Sequence, residues 1–416
     1  MIDVHSTSQL ADYFIELEEQ YGAHNYHPLP VVLSRGQGVY VWDVDGNRYY
    51  DFLSGYSALN QGHCHPRLVH VLIDQAQKLT LTSRAFYNDQ LGVFEQFLSQ
   101  LFGYDKVLPM NTGVEAVETA LKLARRWAYE VKGIPDGKAK IVVCENNFHG
   151  RTLNVISFST DPQAKQGFGP YMPGYVIIPY NDLAALEKAL EDPHVAAFLV
   201  EPVQGEAGVI VPDTGYLSGA KALCEAHRVL FIADEIQTGL GRTGKMLCCD
   251  HEQVKPDILI LGKALSGGMM PISAVLADDE VMLTIRPGEH GSTFGGNPLA
   301  SRIAREAVQI ILDEELPQKA DQTGAYFRER LQALNSPYIR TVRGKGLLNA
   351  IVVHHPHPDA AWQLCLLMRD RGLLAKPTHG DRIRLAPPLI ITREQIDECM
   401  AIIEDSLKAF EQISLD

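Results

Sequence analysis

The sequence lacks the features that mark membrane, secreted and nucleic-acid-binding proteins. No apolar run approaches the roughly 18–20 residues that cross a bilayer. Basic residues are outnumbered, with 37 Lys and Arg against 51 Asp and Glu, and the net charge of −14 argues against a phosphate-backbone partner. Residues 1–22 have neither a signal-peptide core nor an Arg-rich transit pattern. We expect a cytoplasmic protein that binds neither membranes nor nucleic acids.

Cysteine is also scarce, with seven scattered residues, an odd count. The adjacent Cys248 and Cys249 do not have the spacing of a metal site, so we expect free thiols in a reducing compartment. Two short histidine clusters, at 63–65 and 354–357, lack the helical i, i+4 spacing of zinc ligands. We therefore expect no metal.

The sequence does contain short apolar runs that alternate with helical patterns from about residue 110 onward. Its 416 residues, 46% of them hydrophobic, exceed the size that one core usually serves. The β-rich runs lie at 140–145, 175–180, 196–202, 229–235, 257–263 and 272–277. Helical patterns lie between them at 114–130, 182–191 and 216–227. Continuous apolar runs separated by helices are typical of a largely parallel sheet buried on both faces, so the fold class is α/β.

Other patterns flank this region. Residues 38–52 alternate around Asp45-Gly46, as in a β-hairpin. After residue 297 the sequence predicts one long helical stretch at 298–335, and then β-rich 343–353, a helix near 359–372, β-rich 382–391 and a terminal helix from 393. We expect three parts, namely an N-terminal segment (1–45) packed on the small domain, a large α/β domain (46–297) and a small α+β domain (298–416).

Three charged residues follow consecutive β-rich runs of the large domain. Glu201, Asp234 and Lys263 each close an apolar run. Ligands of open α/β sheets collect at the carboxyl ends of strands, and a charge there is costly unless it meets a partner. Each residue alone could be a solvated loop residue or a structural ion pair. Three in succession predict a functional site.

The chemistry of these residues suggests a cofactor. A lysine in an enclosed site can lose its proton through desolvation and nearby cations, and it then attacks carbonyls. A buried carboxylate such as Asp234 suits a cationic ring nitrogen. A protonated pyridine held in this way lets pyridoxal 5′-phosphate act as an electron sink. Lys263 and Asp234 therefore predict a pyridoxal-phosphate site.

Two segments are candidates for the phosphate. In NTGVEAVE (111–118), Thr112 and Glu115 fit a capping box at a helix N-terminus, where backbone N–H groups favour an anion, and Gly113 allows close approach. In GSTFGGNP (291–298), Thr293 offers a hydroxyl. The alternatives are an ordinary capped helix and a loop that joins domains.

Several motifs resemble class III aminotransferases of fold type I along nearly the whole chain. They are NTGVEAVE (111–118), NNFHGRT (146–152), FIADEIQTGLGRTG (231–244), LGKALSGG (261–268) and EHGSTFGGNP (289–298). A narrower resemblance is to the ornithine aminotransferases, in HNYHPLPVVL (24–33), SGYSALNQGHCHP (54–66), LTLTSRAFYN (79–88), GEAGVIVPD (205–213), RGKGLLNAIV (343–352) and LLAKPTHGDRIRLAPPL (373–389).

The resemblance implies how the cofactor ring is held. Lys263 would bind pyridoxal phosphate covalently and later move the proton, while Asp234 would pair with the ring nitrogen. Phe148 would stack on the ring, Ile236 would lie against its face, and Gln237 would support its phenolic oxygen. The neighbouring His149 occupies a position where some relatives have another aromatic residue, and we expect it on the outer wall of the pocket.

The resemblance also implies an assembly. The backbone near Gly113 and Val114 would take the phosphate together with Thr293 of a neighbouring subunit. Each site would then be incomplete in a monomer, which predicts a homodimer.

For the substrates, the resemblance places Tyr26, Tyr56 and Arg151 at the α-carboxylate and α-amino end of L-ornithine. Glu201 is a further candidate substrate residue. Arg384 would bind the α-carboxylate of 2-oxoglutarate, and Glu206 would mask this arginine through a bidentate contact during the first half-reaction. Without the resemblance, the two tyrosines could be core aromatics and Arg384 a surface residue.

The implied activity is transfer of the δ-amino group of ornithine to 2-oxoglutarate, which would belong to arginine metabolism and proline biosynthesis. Other ω-aminotransferases, acting on acetylornithine, 4-aminobutyrate or lysine, are alternatives within the family. A non-catalytic regulatory protein on the same scaffold is a further alternative. Tyr26 and Tyr56 together favour free ornithine, because they would address a free α-amino acid end.

Overall fold

The computed structural model describes residues 8–412. Its helices are α1 Gln9–Tyr21, α2 Ser54–Ser57, α3 Pro66–Ala76, α4 Leu91–Phe102, α5 Gly113–Trp127, α6 Leu153–Ser157, α7 Pro162–Lys165, α8 Leu183–Leu190, α9 Tyr216–Ala226, α10 Asp279–Met282, α11 Pro298–Asp313, α12 Leu316–Ala333, α13 Ala360–Arg369 and α14 Arg393–Phe410. None of the helices in the described part of the chain is long and apolar enough to cross a membrane.

The strands are β1 Leu33–Gln37, β2 Tyr40–Asp43, β3 Arg48–Asp51, β4 Lys106–Met110, β5 Lys140–Cys144, β6 Tyr175–Ile178, β7 Val195–Val200, β8 Leu230–Asp234, β9 Ile258–Leu261, β10 Ser273–Ala277, β11 Ile339–Lys345, β12 Leu348–Val353, β13 Leu373–Leu374, β14 Lys376–Thr378 and β15 Arg382–Leu385. They form three sheets.

The central sheet has seven strands in the order β4-β10-β9-β8-β7-β5-β6. The five strands from β9 to β6 run parallel, while β10 is antiparallel to both β9 and β4. Every residue of β7, β8, β9 and β10 is buried, because helices cover both faces of the sheet. The expected α/β class with a mostly parallel, mixed sheet is confirmed, although the run at 272–277 points the opposite way to its neighbours.

Helices pack on the two faces of this sheet through separate apolar clusters. On one face, α5 contributes residues such as Leu121, Ala124 and Trp127 to a cluster with β5, β7, β8, β9 and β10. On the other face, α8 and α9 contribute residues such as Leu186 and Leu217. This arrangement leaves the carboxyl ends of the parallel strands open to bind a ligand.

The expected hairpin at 38–52 is β2 and β3, which pair antiparallel with Tyr40 opposite Tyr50. The β3 edge of this hairpin pairs with β13, which runs parallel to β3 with Leu373 opposite Tyr50. The N-terminal region is thus hydrogen-bonded to a strand from the C-terminal part of the chain. The division at residues 45 and 297 stays a prediction, and residues 1–7 and 413–416 lie outside the described residues.

The stretch at 298–335 is helical, as expected, and it is divided into two helices, α11 and α12. Glu315 has a φ of 52° at the break, and Pro317 lies in the first turn of α12. Proline has no N–H to donate and clashes with the preceding turn, so it kinks or breaks a helix but is tolerated in the first turn. The β-rich run at 382–391 is also shorter than expected, since β15 ends at Leu385.

Candidate active site

Three neighbouring strands bring the charged residues Glu201, Asp234 and Lys263 to one edge of the central sheet. The residues lie at or just beyond the ends of β7, β8 and β9. They line a cavity of about 260 Å³ together with Gly113, Val114, Phe148, His149, Gly150, Val203, Glu206, Ile236, Gln237 and Thr238. These residues lie up to 150 positions apart in the sequence, and the order of the parallel strands brings them together.

Lys263 begins a 3₁₀ turn, Lys263–Ser266, and has a φ of 43°, which is rare for a residue with a side chain. Its amine forms no hydrogen bond or ion pair within residues 8–412. Burial, assisted by the charge of Arg384, lowers the pKa of Lys263, although Glu206 and Asp234 act in the opposite direction. This direction moves the amine towards its neutral, nucleophilic form.

Asp234 is buried and both of its oxygens are held. Oδ1 accepts the backbone N–H of Ile236 at 3.1 Å, and Oδ2 lies 2.6 Å from Nδ1 of His149. Burial opposes protonation of the His149 ring, but the hydrogen bond and the charge of Asp234 outweigh it, so the pKa of His149 is raised. The expectation that His149 lies on the outer wall of the pocket is wrong.

Glu201 is fixed by the loop that carries Phe148. The backbone N–H of Phe148 donates to Oε1 of Glu201 at 2.8 Å. Burial raises the pKa of Glu201 to about 7, although the nearby His149 opposes this shift. The residue can therefore hold or release a proton close to neutral pH.

The N-terminus of α5 forms the anion-binding side of the cavity. The capping box between Thr112 and Glu115 is present, as the sequence predicted. The first N–H groups of a helix have no partner within the helix, and together with the helix dipole they favour an anion. A Cβ on Gly150 would lie 2.4 Å from Val114, so only glycine lets the 146–150 loop approach this helix.

Thr293 does not line the cavity of its own chain and is exposed. The adjacent Ser292 accepts a hydrogen bond from the Asn111 side chain at 2.6 Å, which ties this loop to the residue that precedes the α5 cap. The structure thus places Thr293 at the surface.

The residues around the cavity fit pyridoxal phosphate. The side-chain amide oxygen of Gln237, Oε1, is buried and has no hydrogen-bond partner in the described part of the chain. A hydroxyl of a bound group would donate a hydrogen bond to it. Phe148 and Ile236 supply apolar walls, and Asp234 supplies a buried carboxylate for a ring nitrogen. A flat heteroaromatic ring with an anionic tail matches this set of donors, acceptors and surfaces.

An outer cleft of about 720 Å³ shares Phe148 and Glu206 with the cavity. It is lined by the expected substrate residues Tyr26, Tyr56, Arg151, Glu206 and Arg384. Tyr26 is exposed, while Tyr56 lies in α2, a single left-handed turn in which all four residues have positive φ. Such a turn is strained for residues with side chains and is typical of functional sites.

Glu206 and Arg384 form an ion pair in this cleft. Nη1 of Arg384 donates to Oε1 of Glu206 at 2.6 Å, while Nε of Arg384 is buried without a partner in the described region. The contact is therefore made through one nitrogen, and the bidentate geometry that we expected is wrong. Burial opposes ionisation of Glu206, but Arg384 and Lys263 lower its pKa to about 2.

The environment of Arg384 excludes the alternative of a surface arginine, because its side chain is only 2% exposed. Its guanidinium lies 5.1 Å from the centre of the Tyr56 ring. Lys376 was not predicted as a site residue; it pairs with Arg384 across β14 and β15, and its amine lies 6.0 Å from the centre of the Tyr26 ring. In the sequence, Lys376 is marked only by its position within the segment 373–389.

The chain is similar to known proteins over almost its full length. The family described as Aminotransferase class-III matches residues 21–407. A mitochondrial ornithine aminotransferase of Rattus norvegicus is 62% identical over 400 residues, which cover 96% of this chain and 91% of the rat protein. Among solved structures, an ornithine aminotransferase of Toxoplasma gondii is 51% identical, with a TM-score of 0.95 and coverage of 97% and 95%. An acetylornithine aminotransferase of Elizabethkingia anophelis is 57% identical, with a TM-score of 0.89 and coverage of 96% and 99%.

Proposed function

This chain belongs to the class III aminotransferases, which use pyridoxal 5′-phosphate, and we propose that it transfers the δ-amino group of L-ornithine to 2-oxoglutarate. The products are glutamate 5-semialdehyde and glutamate, formed in two half-reactions. The observation that carries this proposal is the ion pair of Glu206 with Arg384 in a cleft that also contains Tyr26 and Tyr56.

We assign the cofactor to the inner cavity. Asp234 would pair with its ring nitrogen, Phe148 and Ile236 would contact its ring, and Gln237 would accept from its hydroxyl. The backbone of Gly113 and Val114, at the start of α5, would take the phosphate. When bound, pyridoxal phosphate delocalises the electron pair that remains on a substrate carbon after a proton leaves.

Lys263 is the residue that holds the cofactor and moves the proton. Burial lowers the pKa of Lys263, which favours the form of the amine that can accept a proton from the substrate carbon. Glu201 lies on the same cavity wall, and we assign it to the substrate region, where its carboxyl can be neutral or charged near neutral pH. General acid–base transfer by a positioned group contributes about 10²–10⁴-fold to rate.

The choice between the two amines of ornithine depends on Glu206. While Glu206 pairs with Arg384, the arginine is not available to an α-carboxylate. Tyr26, Tyr56 and Arg151 then hold the α-amino acid end of ornithine in the outer cleft, so that the δ-amine reaches the cavity. In the second half-reaction, Glu206 releases Arg384, which binds the α-carboxylate of 2-oxoglutarate.

Acetylornithine is a second candidate donor, because a relative of that name is 57% identical. Half-reactions of the purified protein with ornithine, acetylornithine, 4-aminobutyrate, lysine and glutamate, followed through the cofactor spectrum, distinguish these donors. We expect ornithine to give the highest kcat/KM. Lys263→Ala serves as the control and should abolish turnover of every donor. A faster reaction with acetylornithine would overturn the ornithine assignment, and turnover by Lys263→Ala would overturn the role of the lysine.

We further propose a homodimer in which Thr293 completes the phosphate site of the neighbouring subunit. Its exposed position outside its own cavity supports this assignment. In a mixture of Lys263→Ala and Thr293→Ala chains, each mixed dimer would contain one site with both intact residues, so activity should exceed the sum of the separate variants. No gain in a mixture shown to exchange subunits would mean that Thr293 acts within its own chain.

A cytoplasmic location and a role in arginine metabolism and proline biosynthesis are part of the same proposal. All seven cysteines are free, which fits a reducing compartment. The rat relative, however, is named as mitochondrial, so fractionation of cells that express the natural gene is the relevant test.

A further inference from the structure

Lys376 lines the outer cleft from β14, which is the edge strand of its sheet. Within residues 8–412 its amine forms no hydrogen bond and no ion pair. Other lysines with partly buried side chains do form such contacts, as Lys140 does with Asp192 and Lys221 with Asp257, both at 2.7 Å. Burial lowers the pKa of Lys376, so its amine is partly removed from water without a carboxylate to compensate.

The place of Lys376 in the sheet adds a second cost. It lies directly opposite Arg384 in the pairing of β14 with β15, so both side chains leave the same face of the sheet. Like charges at opposed positions repel, and the carboxylate of Glu206 is engaged with the arginine. The ring of Tyr26 compensates little, because the amine lies 6.0 Å from its centre, at the outer limit of a cation–π contact. Packing alone therefore does not account for a lysine at this position.

The cleft as a whole carries more positive than negative charge. Three cations line it, Arg151, Lys376 and Arg384, against two carboxylates, Asp161 and Glu206. Both carboxylates are engaged, Glu206 with Arg384 at 2.6 Å, and Asp161 as the N-cap of α7, where it accepts a backbone N–H at 2.9 Å. Among the described residues, Arg151 and Lys376 thus remain open to an anion, in a chain whose net charge is −14.

The substrates of the proposed reaction supply such an anion in both half-reactions. While Glu206 masks Arg384, the α-carboxylate of ornithine needs another cation, and the neighbouring Tyr26 is assigned to that end of ornithine. When Arg384 takes the α-carboxylate of 2-oxoglutarate, the distal carboxylate needs one. We propose that Lys376 is a specificity-determining residue that binds, in each half-reaction, the substrate carboxylate that Arg384 does not hold. This inference rests on the proposed function.

The test removes the charge of Lys376 from the full-length holoenzyme and, separately, the carboxylate from each substrate. Lys376→Met keeps most of the length of the side chain without its charge, and Lys376→Arg keeps the charge. Diaminobutane with amines at both ends is ornithine without its carboxylate, and 2-oxobutanoate is 2-oxoglutarate without its distal carboxylate. The members of each pair are compared by kcat and KM.

We expect Lys376→Met to lower kcat/KM for ornithine and for 2-oxoglutarate about 5- to 30-fold, between the effect of an exposed ion pair and that of a hydrogen bond to a charged group. The loss should appear in KM, because a carboxylate remote from the reacting carbon is bound equally in the ground state and the transition state. The substrates without this carboxylate should change less than about twofold, and Lys376→Arg should retain most of the activity.

Lys255→Met is the matched control, because Lys255 also lies near a tyrosine ring, 4.6 Å from the centre of Tyr104, away from the cleft. It should leave every substrate unchanged. Equal losses for substrates with and without the carboxylate would mean that Lys376 only maintains the cleft. No loss for either carboxylate-bearing substrate would also overturn the proposal. If Lys376→Met does not fold, Lys376→Gln is judged by the same comparison.

Failure of the proposed function gives a different result. If the unmodified protein prefers acetylornithine, the ornithine assignment fails, whereas the comparison of 2-oxoglutarate with 2-oxobutanoate still decides the role of Lys376. A protein that used neither ornithine nor 2-oxoglutarate would have neither the proposed function nor this role for Lys376.

Discussion

Removing the carboxylate of Glu206 should change which amine the protein accepts. In the structure this carboxylate neutralises Arg384, whose side chain is 2% exposed, through a contact of 2.6 Å. Glu206→Ala leaves the guanidinium unpaired in the cleft, where it can bind the α-carboxylate of any amino acid. Ornithine would then present its α-amine as well as its δ-amine to the cavity, and glutamate would become an effective donor.

The pKa of Glu206 gives the size of the effect. A carboxyl whose pKa is about 2 in place of the ordinary 4.5 is favoured in its ionised form by about 3 kcal/mol, and this includes the opposing cost of burial. Lys263 and Gln237 also contribute to this shift, so only part of the energy comes from Arg384, and the ratio of kcat/KM for ornithine to that for glutamate should fall by about 10- to 100-fold in Glu206→Ala. Glu206→Gln keeps an acceptor for Nη1 but removes the charge, so its ratio should fall by less.

The assay is single-turnover conversion of the bound cofactor by ornithine or glutamate. Glu314→Ala is the matched control, because it removes a carboxylate from another contact, with His65 outside the cleft, and should not alter the ratio. The stability that the folded state gains from ionised Glu206 is complete above pH 4.5 and is lost as pH falls towards 2. The contact of Glu206 with Arg384 should therefore not titrate between pH 6 and 8. Unchanged rates with both donors in Glu206→Ala would refute this reasoning.

Two further perturbations test other parts of the site. Tyr56→Ile removes the ring that lies 5.1 Å from the Arg384 guanidinium, and it should shift donor preference towards simple ω-amines such as 4-aminobutyrate by up to about tenfold. Tyr56→Phe keeps the ring and should shift the preference less. An unaltered donor profile in Tyr56→Ile would contradict the assignment. Burial raises the pKa of Glu201 from 4.5 to about 7, so the unfolded chain releases this proton first and stability falls as pH rises between these values. Glu201→Gln should therefore raise the melting temperature of the cofactor-free protein at pH 8, by an amount that corresponds to at most about 3 kcal/mol. This gain in stability should disappear near pH 4.5. A gain that did not depend on pH would contradict the shifted pKa.

The strands and helices of the central sheet could be read from the sequence because they depend on local periodicity. Runs such as 229–235 and 257–263 are continuous and apolar, and the structure has β8 and β9 there. The capping box at Thr112 was equally local, since its two residues are three positions apart. The break before α12 is also encoded locally, by Pro317, within the stretch that was expected to be helical.

Local pattern could not predict the direction of β10 or the length of β15. An apolar run has the same period whichever way it points, so only its pairing with β9 and β4 shows that β10 is antiparallel. Likewise, the segment that follows Leu385 is apolar but leaves the sheet, and Ala386 is hydrogen-bonded to Phe52 instead. These features depend on which neighbours are present in space.

The sequence by itself determined the α/β class, the position of Lys263 and Asp234 at strand ends and the family of motifs around them. Only the tertiary structure decided which side chains meet, because contacts between distant residues depend on strand order and register. His149 lies 85 residues from Asp234, and Glu206 lies 178 residues from Arg384. No periodicity in the sequence indicates these separations. The contact of His149 with Asp234 was therefore not predicted. The contact of Glu206 with Arg384 was expected only through resemblance, and the structure corrected its geometry.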